Sequence, residues 1–198
     1  MVAESERRAE YAQRVFAAAL DWYRNADGKA QVLLTLDGAF LSFLTGSAFT
    51  KSEDLGKILG VFGVETWLFL VAMVVTLAGS IMAALQCLRS RLNDPVEIRA
   101  QLDAASRSVD IDDLPPPLLW FFGHIGQLDR KRFAERLQRL TTFDEVEALA
   151  SETWLLSRNV GRKHKWVNRG FLLTAITFVM FLSAGTSYVV HVALHGPP

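Results

Sequence analysis

The stretch YRNADGKAQVLLTLDGAF, residues 23–40, passes from a polar turn into an apolar run that still carries an acid. Asn25, Asp27 and Lys29 stand at its mouth and Asp37 lies inside it. Whether residues 30–49 enter lipid decides the fold. A mid-helix Asp costs about 2.5–3.5 kcal/mol on insertion, and each Val, Leu or Phe returns about 0.3–0.6 kcal/mol. Nine such apolar residues lie between 30 and 49, so the sum falls near zero or slightly on the favourable side. A marginal segment of this kind inserts beside a stronger neighbour. The competing reading is a hydrophobic core helix in a cytosolic bundle.

The stronger neighbour is WLFLVAMVVTLAGSIMAALQCL, Trp67 to Leu88, which contains no charge. About 20 apolar residues suffice to cross the hydrocarbon layer. A third run of equal quality extends from Phe171 to Leu194. The expected organisation is all-α and membrane-embedded. A cytosolic helix covers 1–29, with spans at 30–49, 67–88 and 167–194. A loop at 50–66 and a tail at 195–198 lie outside, and a helical cytosolic region at 89–166 is broken by prolines at 115–117. Composition agrees: 51% of the 198 residues are hydrophobic, 21% are charged, and the formal net charge is zero. A mean hydropathy of +0.20 in so charged a chain implies greasy spans alternating with polar segments. The balanced charge argues against a nucleic-acid polymer as partner. A single cysteine, Cys87, excludes an internal disulfide and a cysteine-based zinc cluster, and reads as a small apolar residue near a helix end. The charged start, with the first apolar run near residue 30, does not resemble a secretory signal.

Basic residues set the orientation. Arg7, Arg8, Arg14, Arg24 and Lys29 precede the first span, and Arg89, Arg91 and Arg99 follow the second. Arg158, Arg162, Lys163, Lys165 and Arg169 precede the third, whereas the 50–66 loop holds only Lys51 and Lys57. The amino terminus and residues 89–166 are thus expected in the cytoplasm and the carboxyl terminus outside, with Trp67 and Trp166 as interfacial anchors.

In the cytosolic parts, Tyr11, Val15, Ala18 and Trp22 recur at helical spacing and predict an amphipathic helix. Pro95 fits a helix start with Asn93 or Asp94 as cap. The three prolines 115–117 argue against helix there. A short helix follows in DRKRFAERLQRL, with Phe133, Leu137 and Leu140 on one face. Thr142 and Glu145 suggest a capping box, after which helical spacing continues into the third span. That would be one helix of about 50 residues, with Gly161 and Gly170 offering a bend.

Catalytic signatures are missing: there is no phosphate loop, metalloprotease helix or nucleophile elbow, and an enzyme is not expected. His124, in FFGHIG, suits either a ligand or proton donor or a hydrogen-bonded structural histidine. The basic residues at 158–169 suit an anionic ligand, lipid headgroups or topogenic charge alike. Small residues form two stripes four apart: Gly38, Ser42 and Gly46 in the first span, and Ala72, Thr76, Ser80 and Ala84 in the second. Such stripes permit close helix approach, within one chain or in a homo-oligomer. Asp37 lies within one residue of the first stripe and is therefore expected to face protein, as a functional candidate or as a hydrogen-bonded acid that pins helix packing.

Three blocks carry a resemblance over roughly residues 20–190: NADGKAQVLLTLDGAFLSFL, FFGHIG with the charged helix after it, and LSRNVGRKHKWVNRGFLL. Together they resemble the Pycsar transmembrane effector family of bacterial anti-phage defence. The matching positions are Asp27, Lys29 and Ala30; Phe122, Gly123 and His124; and Lys165 with Trp166. The resemblance implies an inner-membrane effector that responds to cCMP or cUMP made by a separate pyrimidine cyclase, and impairs membrane integrity in abortive infection. No cofactor is implied beyond that signal ligand. Asp27, Lys29, Gly123, His124, Arg162 and Lys165 become ligand or coupling candidates, with membrane lipid and further copies of the chain as partners. The alternative is a non-catalytic scaffold or an accessory subunit of a transporter or channel.

Overall fold

Good helix formers run without a proline from the amino terminus to beyond residue 49, and the chain forms one helix, α1 (Val2–Thr50). The computed structural model describes residues 2–50, 62–89, 115–120 and 125–195. Helix α2 (Val64–Leu88) follows, then a single 3-10 turn (Pro116–Leu119), α3 (Arg130–Gln138) and α4 (Thr142–His195). The described residues contain no strand. Helices α1, α2 and α4 are each long and apolar enough to cross a membrane. No helix end separates the amino-terminal segment from the first apolar run, nor residues 142–166 from the last. The start of the 89–166 region, with Pro95 and the acidic patch, lies outside the described residues, as do most of the 50–66 loop and the last three residues of the tail.

The chain divides into two compact units, one of residues 1–24 with 90–161 and one of residues 25–89 with 162–198. In the second unit the buried positions follow a 3-4 spacing on every helix. On α1 they are Ala26, Ala30, Leu33, Asp37 and Phe40; on α2, Met73, Leu77, Ser80, Ala84 and Cys87; on α4, Lys163, Val167, Gly170, Thr174 and Thr177. Residues at this spacing form one seam per helix, the arrangement of helices packed at small crossing angles. Two cores result. Ala26, Ala30, Leu33, Ala84, Cys87 and Val167 make one, and Phe40, Met73 and Leu77 with Phe178 and Phe181 make the other. Phe40 meets Phe178 and Phe181 at ring distances of 5.0 and 5.3 Å.

Helix α4 runs unbroken through Gly161 and on through Gly170. A Cβ placed there would lie 2.3 Å from a methyl carbon of the fully buried Leu33, so the glycine lets α1 approach closely. A Cβ at Gly161 would meet nothing within 4 Å.

The first unit corrects four expectations. Tyr11, Val15, Ala18 and Trp22 are exposed; α1 buries the neighbouring face, with Ala9 buried and Phe16 edge-on to Trp120 at 5.7 Å. Pro116 and Pro117 open a 3-10 turn instead of excluding all helix, because its first residues need no N–H donor; Leu118 N–H donates to the Pro115 carbonyl at 3.0 Å. On α3 it is Arg136 that is buried, while Leu137 is 50% exposed. Arg136 is held by Asp144 at 3.1 Å, an ion pair that a hydrophobicity pattern does not register. The capping box starts one residue early. Thr141 N–H donates to the Asp144 carboxylate at 2.7 Å and Asp144 N–H to the Thr141 hydroxyl at 3.3 Å. Glu145 instead accepts from Gln13 at 2.7 Å.

Candidate functional site

The candidate site lies in the second unit, where the three apolar helices share a polar centre. Asp37 sits in the seam register of α1, so its carboxylate points into the bundle and is fully buried. Ser80 on α2 donates to one carboxylate oxygen at 2.6 Å, and Thr174 on α4 donates to the other at 2.8 Å. The two hydroxyls are 2.7 Å apart, and Ser80 also lies 3.1 Å from the Gly170 carbonyl. One acid therefore joins all three helices, and both of its oxygens are satisfied. Two further hydroxyl pairs continue between α2 and α4: Thr76 with Thr177 at 2.8 Å, and Thr66 with Ser187 at 2.9 Å.

Ten residues before Asp37, Asp27 accepts from Lys163 of α4 at 2.5 Å. The lysine side chain is 8% exposed and the aspartate side chain 28%. Beside them Cys87 is buried and unpaired in any disulfide, with its Sγ 3.7 Å from the Ala26 carbonyl. Two turns along α4, Arg169 stacks on Trp166 at 5.4 Å.

At the other end of α2 and α4 lies an open pocket of about 830 Å³. Phe69, Val179 and Leu182 form part of its apolar wall, and Glu65, Ser187 and His191 are among its polar residues. His191 packs against Gly63, where a Cβ would come within 3.3 Å of the ring.

Of the residues singled out in sequence, Asp27 and Asp37 enter these networks. Lys29 and Lys165 are exposed and Arg162 is half-buried. Gly123 and His124 lie outside the described residues. The small-residue stripe of the second span faces inward, with Ser80 and Ala84 buried and Ala72 and Thr76 half-buried. The first-span stripe faces away: Gly38, Ser42 and Gly46 are exposed, and a Cβ at either glycine would meet nothing within 4 Å. Asp37 is thus interior because it lies on the seam itself, while its neighbour Gly38 lies off it. Lys163 was hidden among Arg162, His164 and Lys165, although its register with Val167, Gly170 and Thr174 marks it as the inward member. Among the described residues no three His, Cys, Asp or Glu side chains come together as a metal site would require.

A polar knot buried among three long apolar helices, joined to charged helical segments, defines an all-helical membrane protein. Its family is shown by sequence: the chain belongs to PycTM, the Pycsar effector protein domain, whose model matches residues 11–191. No curated protein and no solved structure matches the chain. Membership gives the chain the role of a Pycsar anti-phage effector, downstream of a separate cyclase that makes a cyclic-nucleotide signal.

Proposed function

We propose that the chain is an effector of the bacterial inner membrane that answers cCMP or cUMP by impairing membrane integrity, so that the infected cell dies before phage mature. Its amino terminus and residues 89–166 are cytoplasmic and its carboxyl terminus is outside, a placement supported by the excess of basic residues flanking the spans. The observation that carries the reading is the pair of polar ties between the long helices, Asp27–Lys163 just before the spans and the buried Asp37–Ser80–Thr174 within them. Polar contacts of this kind hold one arrangement of helices, and a ligand that binds another arrangement better shifts the population toward it. A cyclic nucleotide carries a phosphodiester anion, and the spans' cytoplasmic ends offer Lys29, Arg162 and Lys165. The role is not catalytic. Further copies of the chain assemble through the outward Gly38–Ser42–Gly46 face, and lipid surrounds the rest.

The test is to express the chain with and without its matched cyclase and to follow entry of a membrane-impermeant dye after infection. Dye entry only in the matched pair supports the reading. Intact membranes in that pair sink it. Retained killing after Lys29→Ala or His124→Ala removes that residue from the response.

A further inference from the structure

We infer that the seam between α2 and α4 is a path for monovalent cations, and that Asp37 sets its selectivity. The inference rests on the leak proposed above and says what the leak passes. Its first support is the run of oxygens: Thr66–Ser187, Thr76–Thr177, then Ser80–Thr174 with the Asp37 carboxylate and the Gly170 carbonyl. At the helical rise, these three pairs are spread over about 21 Å from Thr66 to Ser80, with the buried Met73 between the first two, in a hydrocarbon layer roughly 30 Å thick. Every group in the run is a hydroxyl, carbonyl or carboxylate oxygen, the donor set that hard cations take in place of water. Asp37 is held there by the Ser80 and Thr174 hydroxyls, and an anion in the path would meet its carboxylate.

The second support is the pocket at the end of the same seam. It is about 830 Å³ in volume and reaches Ser187, partner of Thr66, with Glu65 in its wall. An acid at the mouth of a narrow path raises the local cation concentration. The path is closed in this arrangement, since oxygens 2.6–2.9 Å apart leave no room for an ion. It opens when α2 and α4 part and their hydroxyls exchange each other for a permeating ion. Hydroxyl pairs between membrane helices hold the seam, each for a modest net gain. Asp37 goes further, since ionisable groups inside a membrane mark ion pathways.

The experiment uses the full chain in planar bilayers under a potassium chloride gradient, with cCMP and cUMP each added as the opening probe. The expected reversal potential lies toward that of potassium. Asp37→Asn, which keeps the shape and bonds both hydroxyls once one of them turns to accept from the amide N–H, lowers the cation-to-anion permeability ratio about tenfold, because it removes one charge from a weakly screened site. Glu65→Gln serves where Asp37→Asn does not insert, since Glu65 is exposed. It lowers the ratio about twofold at low salt and not at high salt, where exposed charge is screened. A non-selective or anion-selective conductance overturns the inference and leaves the leak standing. Unchanged selectivity in Asp37→Asn, or at low salt in Glu65→Gln, overturns it too. If neither nucleotide opens a conductance, the leak and the inference fall together.

Discussion

The Lys163 ammonium and the Asp27 carboxylate are 2.5 Å apart, with the lysine almost wholly enclosed. A charge pair in such a place stabilises little in net terms, because desolvation offsets attraction, yet removing one member is costly. Asp27→Asn should therefore destabilise the chain by about 3 kcal/mol, while a paired Asp27→Leu and Lys163→Met change should cost far less. Thermal unfolding of the purified chain in detergent measures the difference. Because the pair ties α1 to α4, Asp27→Asn should also admit dye in the absence of any cyclase. A tight membrane in that variant would separate the ion pair from the control of permeability.

Gly170 and Gly161 lie on the same helix and predict opposite outcomes. Alanine at 170 drives a methyl group into Leu33, with Ala83 and the Ser80 carbonyl close behind, so overpacking should cost about 1–3 kcal/mol. Alanine at 161 meets nothing and gains helix propensity, about 0.5–1 kcal/mol in favour. Unfolding midpoints of the two variants should move in opposite directions. A shared direction would show that neither position is limited by packing.

Much of this architecture was legible in sequence because lipid imposes a coarse rule. Apolar runs of sufficient length announced α1, α2 and the end of α4, and unbroken helical spacing announced that α4 runs into the third span, whereas the polar turn expected at Asn25, Asp27 and Lys29 is instead helical, as part of α1. What the sequence hid was direction. Tyr11, Val15, Ala18 and Trp22 have helical spacing, but a neighbouring face of smaller residues with Phe16 is the one that packs. Gly38 and Asp37 are adjacent and lie on opposite sides of the seam boundary, so the stripe of small residues gave no guide to the acid's partners. Lys163 lay within a basic cluster whose topogenic role explained every member equally. A seven-residue register through Val167, Gly170 and Thr174 distinguishes it, and that register emerges only when the three helices are compared. Thr142 and Glu145 offer the same motif as Thr141 and Asp144, one residue later. The reciprocal bonds of Asp144 decide between them.

Asp144 also gives a pH dependence. The backbone N–H of Thr141, above all, together with the Thr141 hydroxyl and Arg136, holds its carboxyl below the usual carboxylate range, against the opposing effect of burial. A depressed carboxyl contributes stability that is complete above the unfolded value, about pH 3.9, and disappears as pH falls through the lower folded value. The start of α4 should therefore loosen on acidification below about pH 4. Asp144→Ala should cost more than the roughly 1 kcal/mol of a lost helix cap at neutral pH, because it also takes the carboxylate away from the buried Arg136, and should lose less on further acidification than the parent chain. Circular dichroism melts of the two proteins across that range make the comparison. Parallel pH profiles would remove Asp144 from the acid response.

Gly38, Ser42 and Gly46 test the assembly of copies. The Ser42 hydroxyl is satisfied within α1 by the Gly38 carbonyl at 2.9 Å, so this face needs no partner for its hydrogen bonds. Its small side chains leave space that a second helix can enter closely, and interhelical contact in lipid depends on such fit because no hydrophobic gain is available there. A Cβ at Gly38 or Gly46 meets nothing within 4 Å among the described residues, so a side chain starts there in open space, and loss of helical glycine stabilises α1 by about 0.5–1 kcal/mol per site. The doubly substituted chain should thus insert and melt at or above the parent temperature. Cross-linking in membranes should then shift from oligomer to monomer, and killing after infection should fall with it. Oligomer and killing both retained would exclude this face as the contact between copies. Oligomer lost with killing retained would show that a single chain suffices to permeabilise the membrane.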